Sequence, residues 1–420
     1  MDMTLAYYAK CFKILKKSLR LTSDENIKIL RYSVNRCSDE LVGFMGEYYK
    51  LNICIVDEDS VDGEKKFRYF IKTVPLTNEY HRDECERKGF FEKEGCIYTE
   101  ILPNIQRYAP TQLYPECYYN RPDLLVLEDL SASPKGFHHI DNFHSHTPLH
   151  HKVMLKHLAK LHAASIAWES YENINIGEKF QHQLKEMFLS TENEWYITGV
   201  KSIVFLSKML PSYQEPRVKK YVDEELYEVL CKAELLTEPS KKFHNVLCHR
   251  DSWEHNIFYT YNEQKEPIDC RIVDFQLTRY SPPAIDVLFF IYATTTFEER
   301  EKTCNTYLEY YHESLRASLR NLNLSEDLIT MEEFQQDCKR ARFPVLILHS
   351  ISEPLIKMPK GVSNKMRAEE QEKFDYYMNT KRDELFLRVI EMEPTYRKTI
   401  LQPVEELLNY LLKNDDLFLS

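Results

Sequence analysis

His249-Arg250-Asp251-Ser252-Trp253-Glu254-His255-Asn256 is followed, eighteen positions after Asn256, by Asp274-Phe275-Gln276. Read as H-R-D-x-x-x-x-N and then D-F-x, the two stretches have the order and spacing of one catalytic carboxylate and two magnesium ligands. Phosphoryl transfer asks little covalent chemistry of a protein. It needs an aligned hydroxyl, metal ions bridging the phosphates and positive charge near the developing oxygens. Asp251, on a loop after the apolar run Val246-Leu247-Cys248, has the chemistry to accept the proton of an attacking hydroxyl. Asn256 offers an amide oxygen and Asp274 a carboxylate oxygen, the hard donors that magnesium prefers.

Between these ligands, Ile257 to Tyr261 and Cys270 to Val273 read as short strands joined by the polar turn Asn262 to Pro267. A hairpin would bring Asn256 and Asp274 to one end. His249 and Asp286 are expected as structural supports. Asp286 opens the apolar helical run Ala284 to Phe290, from which it can brace the catalytic loop through backbone N–H groups or cap its own helix.

Working outward, Ile27 to Val34 and Glu47 to Val56 alternate like strands, with Gly43 and Gly46 between them. This G-x-x-G turn suits a loop over phosphates, or simply a hairpin. Phe67 to Pro75 reads as a third strand carrying one lysine, Lys72, among bulky apolar neighbours. A strand lysine that grips nucleotide phosphates requires a glutamate on a following helix. Glu84 to Leu102 reads as that helix, and Glu94 is the chosen partner over Glu86 and Glu92 because it shares the face of Phe91 and Tyr98. Asp123 to Leu130 reads as a buried strand whose end, Glu128-Asp129-Leu130, would hold adenine through backbone groups. His150 to Trp168 is helical by its apolar stripe. The histidines crowded between His138 and His162 match no zinc spacing, and His162 reads as a packed support for the catalytic loop.

Composition leaves room for this reading. The 420 residues are 43% hydrophobic and carry a net charge of −11 with both signs interspersed, so nucleic acid is not an expected partner. Eleven scattered cysteines without a C-x-x-C pair fit reduced thiols in a cytoplasmic protein. No basic, apolar leader and no 18-residue apolar span are seen, so neither a secretory signal nor a membrane span is expected.

Taken together, Phe70 to Pro75, Phe91 to Tyr98, Leu127 to Leu130, Leu158 to Ala163, the His249 to Asn256 loop and Asp274 to Tyr280 resemble the ecdysteroid kinase-like family, in the wider group of choline kinases and aminoglycoside phosphotransferases. The resemblance runs from about the first strand to about residue 300. It implies an α+β, bilobal protein-kinase-like fold: a small antiparallel β-sheet lobe with a helix (1–127) and a larger, mainly helical lobe (128–420) with a helical insertion at about 180–240. It also implies ATP and Mg2+ as cofactors and a small-molecule hydroxyl as acceptor, an ecdysteroid or a xenobiotic alcohol, phenol or glycoside. Arg250 departs from the glycine common in the family and makes the loop look like that of a protein kinase.

Acceptor size is argued separately. Within nine residues of Asp274 come Pro282-Pro283 and then a helical run, which leaves no room for a peptide-docking activation segment. Trp253 stands where Ser/Thr protein kinases place a lysine, and no A-P-E follows. A small acceptor is expected, with specificity in the insertion carrying Phe188, Trp195 and Tyr196 and in the helices from Phe297 to Leu412. Two other readings stay open: a kinase-fold binding protein that transfers no phosphate, and a choline- or ethanolamine-type kinase, which would need anionic residues in its pocket.

Overall fold

The protein is described from a computed structural model over residues 8–21, 27–37, 46–59, 62–76, 79–134, 136–140 and 145–414. Its chain forms two compact units, 1–157 with 255–276, and 158–254 with 277–420. The break between them falls inside the H-R-D-x-x-x-x-N motif.

The first unit is built on a five-stranded antiparallel sheet in the order β1-β2-β3-β5-β4. Its strands are β1 (Ile29–Arg36), β2 (Glu47–Val56), β3 (Glu64–Thr73), β4 (Cys117–Arg121) and β5 (Leu124–Glu128). Alternation makes the core. Tyr49, Leu51, Ile53 and Ile55 of β2, Tyr69 and Ile71 of β3, and Leu124 and Val126 of β5 pack with Cys11, Ile14 and Leu15 of helix α1 (Tyr8–Ser18). Ser18 and Tyr69 share a 2.6 Å hydrogen bond that ties the helix end to the sheet. Lys72 follows Ile71, so it projects from the opposite face. Strand β3 starts at Glu64 rather than Phe67, because its charged first turn pairs in register with β2 as far as Val56. Strand β4, which pairs with β5, is an addition to the sequence reading.

The helix expected over Glu84 to Leu102 is broken. Helix α2 (Glu79–Lys88) ends at Gly89, whose φ of 67° is the left-handed conformation that glycine adopts freely. Helix α3 (Phe90–Cys96) then runs into a π-helical turn (Ile97–Ile101) and α4 (Leu102–Gln106). The turn shifts the side-chain register within the segment that carries Glu94 and Tyr98. Later in the chain, β7 (Ile257–Tyr261) and β8 (Pro267–Ile272) form the expected hairpin, with β8 beginning at a proline, where a strand tolerates one.

The second unit is mainly helical. Helix α5 (Pro148–Glu172) begins in the first unit and ends in this one. It is followed by α6 (Ile176–Lys179), α7 (Glu194–Ser207), α8 (Pro216–Glu224), α9 (Leu226–Cys231), α10 (Ala284–Thr294), α11 (Phe297–Asn321), α12 (Met331–Ile356), α13 (Lys360–Thr380), α14 (Arg382–Met392) and α15 (Tyr396–Lys413). Apart from Asp286 in its first turn, helix α10 is almost wholly apolar and buried along almost its whole length, as a central helix must be. Capping boxes at Thr296/Glu299 and Thr330/Glu333 start α11 and α12. A short sheet of this unit pairs β6 (Val246–Cys248) with β9 (Arg279–Ser281). The α+β class, with an antiparallel sheet first and helices after, is what the chain adopts. Among the described residues no helix is long and apolar enough to cross a membrane.

Candidate active site

In the first unit the sheet and helix bring three charges together. Lys72 Nζ lies 2.8 Å from Glu94 Oε2 and 2.8 Å from Asp274 Oδ1, with Lys72 3% and Glu94 1% exposed. Burial alone would lower the Lys72 pKa, but Asp274 and then Glu94 outweigh it and raise it, so the ammonium stays charged. Burial pushes Glu94 up to about 7, helped by Asp274 and opposed by Lys72 and by the Phe275 N–H that donates to its Oε1 at 3.2 Å. One cation thus serves two carboxylates. The lysine is also 5.8 Å from the Phe91 ring centroid, and Phe275 packs edge-on against Tyr98. Glu86 and Glu92, the rival partners, do not pair with Lys72.

Gly46 is buried against this strand. A Cβ there would stand 3.2 Å from the Thr73 carbonyl and 3.7 Å from Lys72 Cγ, so glycine permits the close approach of the chain to β3. Gly43 lies outside the described residues.

The β7–β8 hairpin places Asn256 and Asp274 at its same end, Ile257 pairing with Ile272 and the Val273 N–H donating to the Asn256 carbonyl at 3.0 Å. Asp274 has a φ of 66°, uncommon for a residue with a side chain and therefore held by its surroundings. An amide oxygen and a partly exposed carboxylate are the hard donors that suit magnesium, so the residues present fit that ion.

At the end of β5, the Glu128 carboxylate accepts from Gln112 Nε2 at 2.9 Å and from the Glu116 N–H at 3.3 Å. Asp129 accepts from Arg68 Nε at 2.5 Å and from the Ser131 N–H at 3.0 Å, while buried Leu130 starts a short 3-10 turn. The side chains are occupied locally. A cavity of about 640 Å³ opens beside them, lined in part by Tyr32, Asn52, Cys54, Arg68, Glu128 and Asp129.

In the second unit the loop carrying Asp251 is braced by α10. Asp286 Oδ2 accepts from the His249 N–H at 2.7 Å, and Oδ1 from the Arg250 N–H at 2.6 Å. His162 Nε2 stands 3.2 Å from the same carboxylate, and its Nδ1 is 2.7 Å from the Tyr311 hydroxyl. Burial alone would raise the Asp286 pKa, but the hydrogen bond from His162 and the neighbouring donors prevail and lower it. Cys248 completes a buried group with His162 and Asp286 of the size a metal could use. Each of the three is already engaged, Cys248 Sγ with the Ser281 carbonyl, so the group reads as a brace. Within the loop, His249 Nδ1 accepts the Asp251 N–H at 3.2 Å and the Asp251 carbonyl accepts the Trp253 N–H at 3.1 Å. Arg250, at φ 72°, spans the bend between them.

Glu186 was not anticipated. Its Oε1 accepts three consecutive backbone N–H groups, from Met187, Phe188 and Leu189, and its Oε2 lies 3.3 Å from Arg250 Nη2 and 3.8 Å from Arg279 Nε. Burial opposes ionisation, yet Arg250, Arg279 and the backbone donors hold the carboxyl down to about 2. It joins the loop carrying Asp251 to β9, where Arg279 pairs with Cys248, and to the segment from Met187 to Leu189. No local pattern marks it.

A sheet with a buried lysine that pairs with a helix glutamate and with Asp274, and a helical unit bracing the loop that carries Asp251, define a kinase-like protein. The chain belongs to the ecdysteroid kinase-like family, whose model matches residues 42–324. No curated protein matches it. Among solved structures, the microcompartment-associated aminopropanol kinase is similar at 11% identity, with 81% of this chain and 98% of that chain covered at a TM-score of 0.25.

Proposed function

We propose that the chain is an ATP-dependent kinase that transfers the γ-phosphate to a hydroxyl of a small lipophilic molecule, an ecdysteroid or a xenobiotic alcohol, phenol or glycoside. The observation that carries this reading is the double engagement of Lys72 by Glu94 and Asp274, 2.8 Å each. A buried ammonium held beside the metal-loop aspartate is the arrangement that nucleotide phosphates require. Its family membership supports the same class.

In this reading Lys72, oriented by Glu94, neutralises the α- and β-phosphates, with Gly46 packed close beside it. The backbone at Glu128 to Leu130 receives adenine, and the adjoining cavity has the volume of a small-molecule site. Residues 1–127 form the nucleotide-binding lobe and 128–420 the catalytic and acceptor-binding lobe. Asn256 and Asp274 would hold Mg2+, which when bound neutralises phosphate charge. Asp251 accepts the acceptor's proton as a new bond forms between that oxygen and the γ-phosphorus. The bond from the γ-phosphorus to the β–γ bridging oxygen breaks, and ADP leaves with the electron pair. His249 and Asp286 keep the loop in place. Purified protein incubated with Mg-ATP and a panel of sterols, phenols and glycosides should yield a monophosphate ester by mass spectrometry. Mg-ATP binding without any ester across the panel would instead indicate a binding protein.

A further inference from the structure

Arg382 begins α14 and is only 1% exposed. Its Nε donates to the Met378 carbonyl at 2.8 Å, but Nη1 and Nη2 have no hydrogen-bond partner. No carboxylate forms an ion pair with it among the described residues. Burial alone pushes its pKa down to about 9, with no anion acting against that. A buried, uncompensated cation is strongly unfavourable, and the positive end of the α14 dipole adds to the cost. Besides the Met378 carbonyl, it is compensated by the Trp195 ring, 4.2 Å from the guanidinium carbon to the centroid.

Trp195 is held in place for that contact. Asn193 caps α7 by accepting the Trp195 N–H at 3.1 Å, and its amide donates to the Met187 and Phe188 carbonyls at 3.1 Å each. The Phe188 ring packs 4.4 Å from Trp195, centroid to centroid, at 38°. Both rings are partly exposed. A partly exposed indole, packed on a partly exposed phenyl ring, therefore lies over a cation that does not reach solvent, all within the second unit.

We propose that Arg382, Trp195 and Phe188 form a binding site for the carboxylate of a planar aromatic acid. The two Nη groups form an end-on fork matching the two carboxylate oxygens, and one negative charge balances one positive charge. The acid's ring then stacks on Trp195 or Phe188. Nothing in this site depends on phosphate transfer, so the proposal stands apart from the kinase reading.

The test uses the full chain with benzoate and its uncharged analogue benzamide. Benzoate is expected to raise the Tm in a concentration-dependent way and to change tryptophan emission, whereas benzamide at the same concentrations does neither. Arg382→Met, which keeps the length and loses the charge, should bind benzoate at least tenfold more weakly and unfold at a Tm no lower than the wild type without the anion. Trp195→Phe should abolish the emission change. Equal responses to benzoate and benzamide, no response of the wild type to benzoate, or an undiminished response in Arg382→Met would each overturn the proposal. Should Arg382→Met fail to fold, Arg382→Lys decides: it keeps the charge without the fork, and benzoate binding as tight as in the wild type would overturn the site.

Discussion

Lys72 Nζ lies 2.8 Å from Oδ1 of Asp274, 202 positions further along the chain, while also holding Glu94. Among the described residues, the lysine is therefore the cation that pairs with both carboxylates. Lys72→Met keeps the side chain's length but leaves those carboxylates facing each other, and should cost about 3–5 kcal/mol. Urea denaturation measures this, and Lys72→Met/Glu94→Gln should recover part of the loss because one carboxylate is gone. Strictly additive effects would show that the three groups do not act as one cluster.

Glu186 gives a pH-dependent prediction. Its carboxyl is held down to about 2 from an ordinary value of 4.5. An acid with a depressed folded pKa stabilises the fold above its unfolded pKa, and that contribution disappears as pH falls through the folded value. Glu186→Gln should therefore be less stable than the wild type by about 3–5 kcal/mol at pH 7, since Arg250 and Arg279 lose their shared partner. The gap should narrow between pH 4.5 and 2. Denaturation midpoints across that range check it, and a constant gap would contradict the assignment.

Asp286 tests the brace. Asp286→Asn preserves shape but leaves one oxygen for two backbone donors, so the His249 or Arg250 N–H becomes an unpaired buried donor at a cost of about 1–3 kcal/mol. Hydrogen exchange should show these two amides losing protection ahead of those of β6. Unchanged protection at both would mean that α10 does not hold the loop.

What was legible in the sequence follows from how local each signal is. The spacing of Asp251, Asn256 and Asp274 is set by one loop and one hairpin, so it can be read without the fold. Glu94 was found because a strand lysine demands a helix glutamate, even though Gly89 and the π-helical turn divide the helix that was expected to carry it. Gly89 itself, directly after Arg87-Lys88, was the available stop signal. Glu186 was not legible, because its role comes from Arg250, 64 positions away, and it stands among 66 acidic residues with no periodicity to mark it. The packing of Cys11, Ile14 and Leu15 of α1 under the sheet likewise depends on tertiary contact rather than on any nearby motif.

Asp251 separates chemistry from binding. It belongs to the second unit, whereas Lys72, Glu94, Asn256 and Asp274 all belong to the first. Asp251→Asn removes a proton acceptor at nearly constant size, and amide for carboxylate preserves the backbone N–H contacts to His249 and Trp253. Thermal stabilisation by Mg-ATP should therefore match the wild type, while kcat for ester formation falls by about 10²–10⁴, the range expected for loss of a general base. A variant that bound Mg-ATP normally and retained full turnover would remove Asp251 from the reaction. A variant that lost Mg-ATP binding as well would place it in the nucleotide site rather than at the acceptor hydroxyl.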